Sequence, residues 1–283
     1  MRLLRTDTLE FCDVLGEDYP PYSILSHTWE AEELTYQNMI APTDTVKAKA
    51  GYTKLLGFVN KSREMEYEFA WIDTCCIDKS SSAELTEAIN SMYTWYKNSS
   101  ICMVYLVDVD FEWSFKELPK DSDRRTIENS RWFSRGWTLQ ELIAPRSICY
   151  FTNKWQQITV PRSAISRITS IPEMVLRTGM TEDISVAQKM CWASNRRTTR
   201  VEDMAYCLMG LFDINMPLLY GEGMKAFVRL QEEIIRRSDD HTIFLWIDAA
   251  AAGPEICARP IRRKTGNFQS KGFPTTLPIW GSK

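Results

Sequence analysis

Four short apolar runs, at residues 22–26, 69–73, 101–107 and 147–151, constrain the fold of this chain most. Each is too short and too evenly apolar for an amphipathic surface helix, so each reads as a strand buried on both sides. The stretches between them carry helical periodicity. Residues 46–59 place Ala50, Leu55, Phe58 and Val59 near one stripe. Ser81 and Glu84 have the spacing of a capping box and open a helix with Leu85, Ile89, Met92 and Tyr96 on one side. Residues 129–145 read as a third helix, stopped by Pro145. Strand and helix in strict alternation predict a parallel sheet covered on both faces. Two further short runs, residues 2–4 and 10–12, predict a small hairpin at its edge.

Ligands of such sheets bind outside the carboxyl ends of the strands. The residues placed there are His27, Thr28 and Trp29 after the first strand, Asp73 to Asp78 after the second, and Asp108 after the third. On the third helix, Trp137 and Glu141 stand four residues apart and so share a face. A glutamate among leucines and tryptophans is paired, at the surface, or at work. Its partner would be Arg131 or Arg135; its work would be that of a carboxylate beside an aromatic wall. Asp73 either binds a ligand hydroxyl or holds Arg135, or it accepts backbone N–H groups in a turn. His27 is a general base, a phosphate contact, or a histidine bonded to nearby backbone. Cys75 and Cys76 with His27 form a remote candidate for nucleophilic chemistry; adjacent thiols at a strand end are more often packing. Trp95, Trp132, Tyr93 and Tyr96 read as core. Arg196, Arg197 and Arg200 read as a solvated or carboxylate-paired face ahead of a phosphate site.

Beyond residue 157 the pattern changes. Segments 185–193, 199–211 and 224–238 carry helical stripes, the second opened by a capping box at Thr199 and Glu202. The predicted organisation is an α/β core over residues 1–157, a helical lobe over 158–245 and a loosely held tail over 246–283. Residues 30–44 and the charged stretch 111–128 read as loops. The formal net charge of -3 argues against nucleic acid as a bulk electrostatic partner. No apolar run reaches the roughly 20 residues that span a bilayer, and the first residues lack a secretory apolar region. Several of the 8 cysteines lie in apolar runs, no CxxC pair occurs, and only two histidines are present. These features predict free thiols in a reducing, cytoplasmic setting and no zinc site.

Several motifs stand together in order: residues 24–29 (Ile-Leu-Ser-His-Thr-Trp), 71–79 (Trp-Ile-Asp-Thr-Cys-Cys-Ile-Asp-Lys), 88–92, 130–142 (Ser-Arg-Trp-Phe-Ser-Arg-Gly-Trp-Thr-Leu-Gln-Glu-Leu), 198–206 and 218–223. They resemble the fungal heterokaryon-incompatibility (HET) domain over about residues 20–240. The resemblance implies a filamentous fungus and a cell-death effector in allorecognition. It also implies a TIR-like (flavodoxin-like) core, because HET domains are likened to Toll/interleukin-1 receptor domains. Many of those cleave NAD+ between nicotinamide and ribose with a glutamate on the helix after the third strand. Residues 137–142 are similar to that motif, with Thr138 in place of its cysteine, so Glu141 is the carried-over catalytic residue. Trp137, Trp29, His27, Thr28, Asp73 and Arg135 are the implied substrate-binding set. NAD+ or a related nucleotide is then substrate rather than cofactor, no metal is implied, self-association is expected, and any sensor acts in trans. The alternative is a non-enzymatic death-signalling module that works through homotypic or heterotypic contacts.

Overall fold

The computed structural model describes residues 1–16, 18–111 and 121–245. Seven strands form one mixed sheet: β1 (Arg2–Arg5), β2 (Phe11–Asp13), β3 (Tyr22–His27), β4 (Phe69–Trp71), β5 (Ile101–Leu106), β6 (Ile148–Thr152) and β7 (Gln157–Ile158), in the order β2-β1-β4-β3-β5-β6-β7. The four apolar runs of the sequence are β3, β4, β5 and β6, and these pair in parallel. All six residues of β3 are buried, which is why its sequence does not alternate. The parallel sheet stops at both sides. β1 joins β4 antiparallel and carries the expected hairpin, and β7 folds back on β6. The sheet is therefore mixed rather than wholly parallel.

The helices are α1 (Tyr36–Ile40), α2 (Asp44–Lys47), α3 (Ala50–Glu64), α4 (Ser82–Asn98), α5 (Asp121–Glu128), α6 (Thr138–Ile143), α7 (Arg162–Thr169), α8 (Glu173–Thr178), α9 (Val186–Ser194), α10 (Asp203–Tyr206) and α11 (Lys225–Arg237). Residues 30–44, expected as loop, contain α1. The charged insertion ends in α5; residues 112–120 of it lie outside the described residues, as does the tail from 246. Ser81 caps α4 as expected, but Glu84 does not complete the box. Its carboxylate instead accepts the Asp78 N–H at 2.7 Å and pairs with Arg2 at 2.6 Å, tying the hairpin to α4. The second expected box does not form either. Glu202 makes no cap bond and accepts N–H groups of Gly221 and Gly223, so the expected long helix shrinks to α10 and a 3-10 turn at Met209–Phe212.

The third expected helix is two pieces: a 3-10 turn at Arg131–Ser134, then α6. The lobe causes the break. Arg197 N–H donates to Ser134 O at 2.7 Å, and Gly136 N–H donates to Arg197 O at 2.8 Å, so backbone that a continuous helix would use is bonded outwards. Gly136 allows this close approach, because a Cβ there would stand 2.5 Å from Thr198 Cγ2. Arg196 adds to the clamp and is buried rather than a solvated face. Its Nη1 donates to Arg135 O and Thr138 Oγ1, both at 2.9 Å.

Chain order reverses at β3. The chain leaves β3 for β4 on one side and crosses back to β5 on the other. The crevice for a ligand in such a sheet lies at that switch point, at the carboxyl ends of β3 and β5.

Candidate functional site

Two groups of side chains meet at the switch point, one buried and one that reaches the surface at Trp29. The buried group is built on Ser26, near the carboxyl end of β3. Its hydroxyl donates to Glu141 Oε2 and accepts from Trp132 Nε1 at 2.8 Å. Trp132 is placed by Asp108, which follows β5. The Asp108 carboxylate accepts the Ser130 hydroxyl at 2.7 Å and the Arg131 N–H at 2.8 Å, anchoring the start of the 3-10 turn. Glu141 sits on α6, every residue of which is buried.

Glu141 is 4% exposed. Burial, reinforced by the charge of Asp73, pushes its carboxyl up to about 8; the Ser26 hydrogen bond and Arg135 oppose that only in part. Glu141 is therefore mostly protonated at neutral pH. Its expected arginine partners are engaged elsewhere. Arg131 pairs with Glu30 at 2.7 Å, and Arg135 lies with Cζ 5.5 Å from the Trp29 ring centroid. Among the described residues no ion pair within 4.0 Å holds Glu141.

The second group hangs on Asp73, just past β4. One carboxylate oxygen accepts from His27 Nε2 at 3.0 Å, and the other accepts the Trp29 indole N–H at 2.9 Å. Lys54 of α3 reaches His27 Nδ1 at 2.8 Å and pairs with Glu33. The ammonium has only protons to offer, so Nδ1 accepts and the proton of a neutral His27 sits on Nε2, facing Asp73. Burial and the Lys54 charge hold His27 below its usual range. Burial alone would raise Asp73. The His27 N–H, with the charges of Lys79 and Arg135, outweighs it and keeps this carboxyl well below the usual range. Trp29 is 39% exposed, with Lys79 Nζ 3.8 Å from its ring centroid.

The implied binding set is thus partly gathered. His27, Trp29, Asp73 and Arg135 form one connected patch. Thr28 is buried beside it with its hydroxyl unpartnered. Trp137 stands at the start of α6, near enough to Asp203 of the lobe to oppose the burial that raises that carboxyl. The thiol reading finds no support. Both ring nitrogens of His27 are engaged, and Cys75, in contact with Cys76 and buried, is held protonated well above the ordinary thiol range. Among the described residues no group of three His, Cys, Asp or Glu side chains is disposed to hold a metal ion, and no helix is long and apolar enough to cross a membrane.

Lys54, Glu33 and Lys79 were missed from the sequence. Lys54 had a signal: it lies on the same helical stripe as Ala50, Leu55 and Phe58, where a lysine needs a buried partner. Nothing local in the sequence marks Lys79 for Trp29.

This arrangement defines a class: an α/β protein with a mixed central sheet flanked by helices and a cluster of polar side chains at its switch point. The comparisons with known proteins narrow it. Residues 22–118 match the family model described as heterokaryon incompatibility protein (HET), and this chain carries a HET domain. Residues 225–272 match a second model, described as a domain of unknown function. The chain is similar to vegetative incompatibility protein HET-E-1 of Podospora anserina, with 44% identity over 232 residues. That match covers 78% of this chain but 17% of the relative, so the chain spans about a sixth of the length of the protein it resembles. No solved structure matches the chain significantly.

Proposed function

We propose that the chain is a cell-death effector of heterokaryon incompatibility whose switch-point cleft takes NAD+ or a related nucleotide and hydrolyses the nicotinamide–ribose bond. The observation that carries the reading is Glu141, a carboxyl raised to about 8 at the ligand edge of the parallel sheet, bonded to Ser26 of β3 and within reach of the charges of Asp73 and Arg135. The strand order β4-β3-β5-β6 of the parallel strands is that of flavodoxin-like sheets and supports the TIR-like reading of the core.

The chemistry follows from charge. As the glycosidic bond breaks, its electron pair leaves with the nicotinamide nitrogen, and positive charge develops on the ribose. An ionised Glu141 stabilises that charge and accepts a ribose hydroxyl. The cationic nicotinamide favours this ionised form when it arrives, since an opposite charge nearby lowers a carboxyl's pKa. Water then adds to the ribose carbon and loses a proton. Trp29 supplies the aromatic wall; Trp137 stands at the start of α6. Burial of Glu141 in the single chain fits a site that opens on self-association.

One observation favours a second reading. Glu141 is almost fully buried and already bonded to Ser26, so it also fits a purely structural carboxyl in a module that signals by contacts. Nicotinamide release from NAD+ by concentrated full-length protein separates the two. The hydrolase reading expects release that falls at least 100-fold in Glu141→Gln with the fold intact. Release at the wild-type rate in that variant sinks it. Cell killing by Glu141→Gln with NAD+ undiminished establishes the contact reading.

A further inference from the structure

We propose that Lys79 and Arg135, gathered on the Trp29 indole, form a binding site for the diphosphate group of a nucleotide. This deepens the dinucleotide reading above by naming the part of the ligand that the cleft grips.

The two cations come from different parts of the chain. Lys79 belongs to the loop after β4, and Arg135 to the break before α6. Their charged groups lie no more than about 9 Å apart, taking the two distances to the Trp29 centroid end to end. Neither forms an ion pair within 4.0 Å among the described residues. The carboxylate that faces both is Asp73, and its two oxygens already accept from His27 and Trp29.

Local charge decides which ligand fits. His27 is neutral, Lys54 is matched by Glu33, and Glu141 is mostly protonated at neutral pH. Two cations then face one carboxylate, which leaves a net positive charge on a half-buried surface. A cation on an exposed tryptophan gains only about 0.5–1 kcal/mol from the ring. Two like charges on one ring also repel, and the hydrogen bond from Lys79 Nζ to Thr74 O at 3.3 Å holds only one of them, so packing alone does not account for the pair. A diphosphate does: it offers arginine a bidentate contact and lysine a point charge. It also leaves the Trp29 face for a base to stack on.

Calorimetry on the full chain carrying Glu141→Gln, which separates binding from turnover, tests this with ADP-ribose, inorganic pyrophosphate and nicotinamide riboside. The expected result is binding of ADP-ribose, competed by pyrophosphate and weakened by salt. Lys79→Met with Arg135→Met lowers that affinity at least ten-fold, and the exposed control Lys97→Met leaves it unchanged. Nicotinamide riboside, which lacks a diphosphate, binds the Glu141→Gln parent and the double variant alike. Should the double variant lose its fold, the charge-keeping Lys79→Arg and Arg135→Lys are expected to retain ADP-ribose binding, and each single methionine variant to weaken it. The proposal is overturned if ADP-ribose and pyrophosphate fail to bind at millimolar concentration, or if the methionine variants bind as tightly as the parent. Diphosphate binding without nicotinamide release from the unmutated chain overturns the hydrolase reading and leaves this site standing.

Discussion

The Ser26 hydroxyl donates to Glu141 Oε2 across 115 residues of sequence, joining the central strand β3 to helix α6 through one buried contact. The Ser26 hydroxyl oxygen in turn accepts the Trp132 indole N–H at 2.8 Å. Removing the hydroxyl therefore orphans two buried groups at once. Ser26→Ala is expected to destabilise the protein by about 1–3 kcal/mol, the cost of a buried polar group left without its partner. Glu141→Gln keeps the shape and an acceptor for Ser26, and costs less. Urea unfolding at pH 7 measures both; a Ser26→Ala variant as stable as the parent refutes this account of the contact.

The pH dependence of stability carries the sign of the Glu141 environment. In the unfolded chain this carboxyl ionises near 4.5, and in the folded chain near 8. Between those values the folded state holds the extra proton, so stability is lost as pH rises, and the loss is complete above about 8. The slope approaches about 1.4 kcal/mol per pH unit at its steepest. Glu141→Gln removes this slope. Unfolding free energies of the two proteins, measured from pH 5 to pH 8, are expected to converge as pH rises, with the parent losing its lead. Parallel curves count against a protonated Glu141.

His27 acts in the opposite direction. Its folded value lies below the usual 6.5, so below that pH the unfolded chain binds the proton more readily, and stability is lost as pH falls. Burial comes first among the causes, followed by the Lys54 ammonium on Nδ1; Asp73 and Glu33 pull the other way. Lys54→Met is therefore expected to raise the His27 titration midpoint. With only two histidines in the chain, ring-proton NMR resolves the shift. An unmoved midpoint shows that the Lys54 charge does not hold His27 down.

The parts legible in the sequence are those set by short-range pattern. The four apolar runs gave the parallel strands because burial on both faces removes alternation, as in β3. Ser81 capped α4 because an N-cap needs only its own turn. Glu84 escaped that logic: its carboxylate found Arg2 and the Asp78 N–H, contacts that no local rule supplies. The helix expected over 129–145 failed for a similar reason, since Arg196 and Arg197, some sixty residues on, bond the backbone at its centre. At the site, position past a strand end found His27, Trp29 and Asp73. It did not find Lys79 or Glu33, whose roles exist only once separate loops meet.

The break between the 3-10 turn and α6 rests on Gly136, and a two-residue cycle tests it. A Cβ at position 136 meets Thr198 Cγ2 at 2.5 Å and Cys207 Sγ at 3.2 Å. The first distance is a clash; the second is a tight contact that a small shift relieves. Gly136→Ala alone is expected to cost about 1–3 kcal/mol, as overpacking does. Thr198→Ser deletes the clashing methyl and keeps the hydroxyl that donates to Arg200 O at 2.6 Å, so it is nearly neutral alone. Together the two changes are expected to cost at least 1 kcal/mol less than their sum, a coupling typical of residues in contact. Strict additivity in urea unfolding places the constraint on Gly136 elsewhere. The pair also reports on the site. Gly136 N–H bonds the lobe segment that fixes where α6 begins, so Gly136→Ala is expected to shift the Glu141 titration from about 8, and Thr198→Ser to restore it.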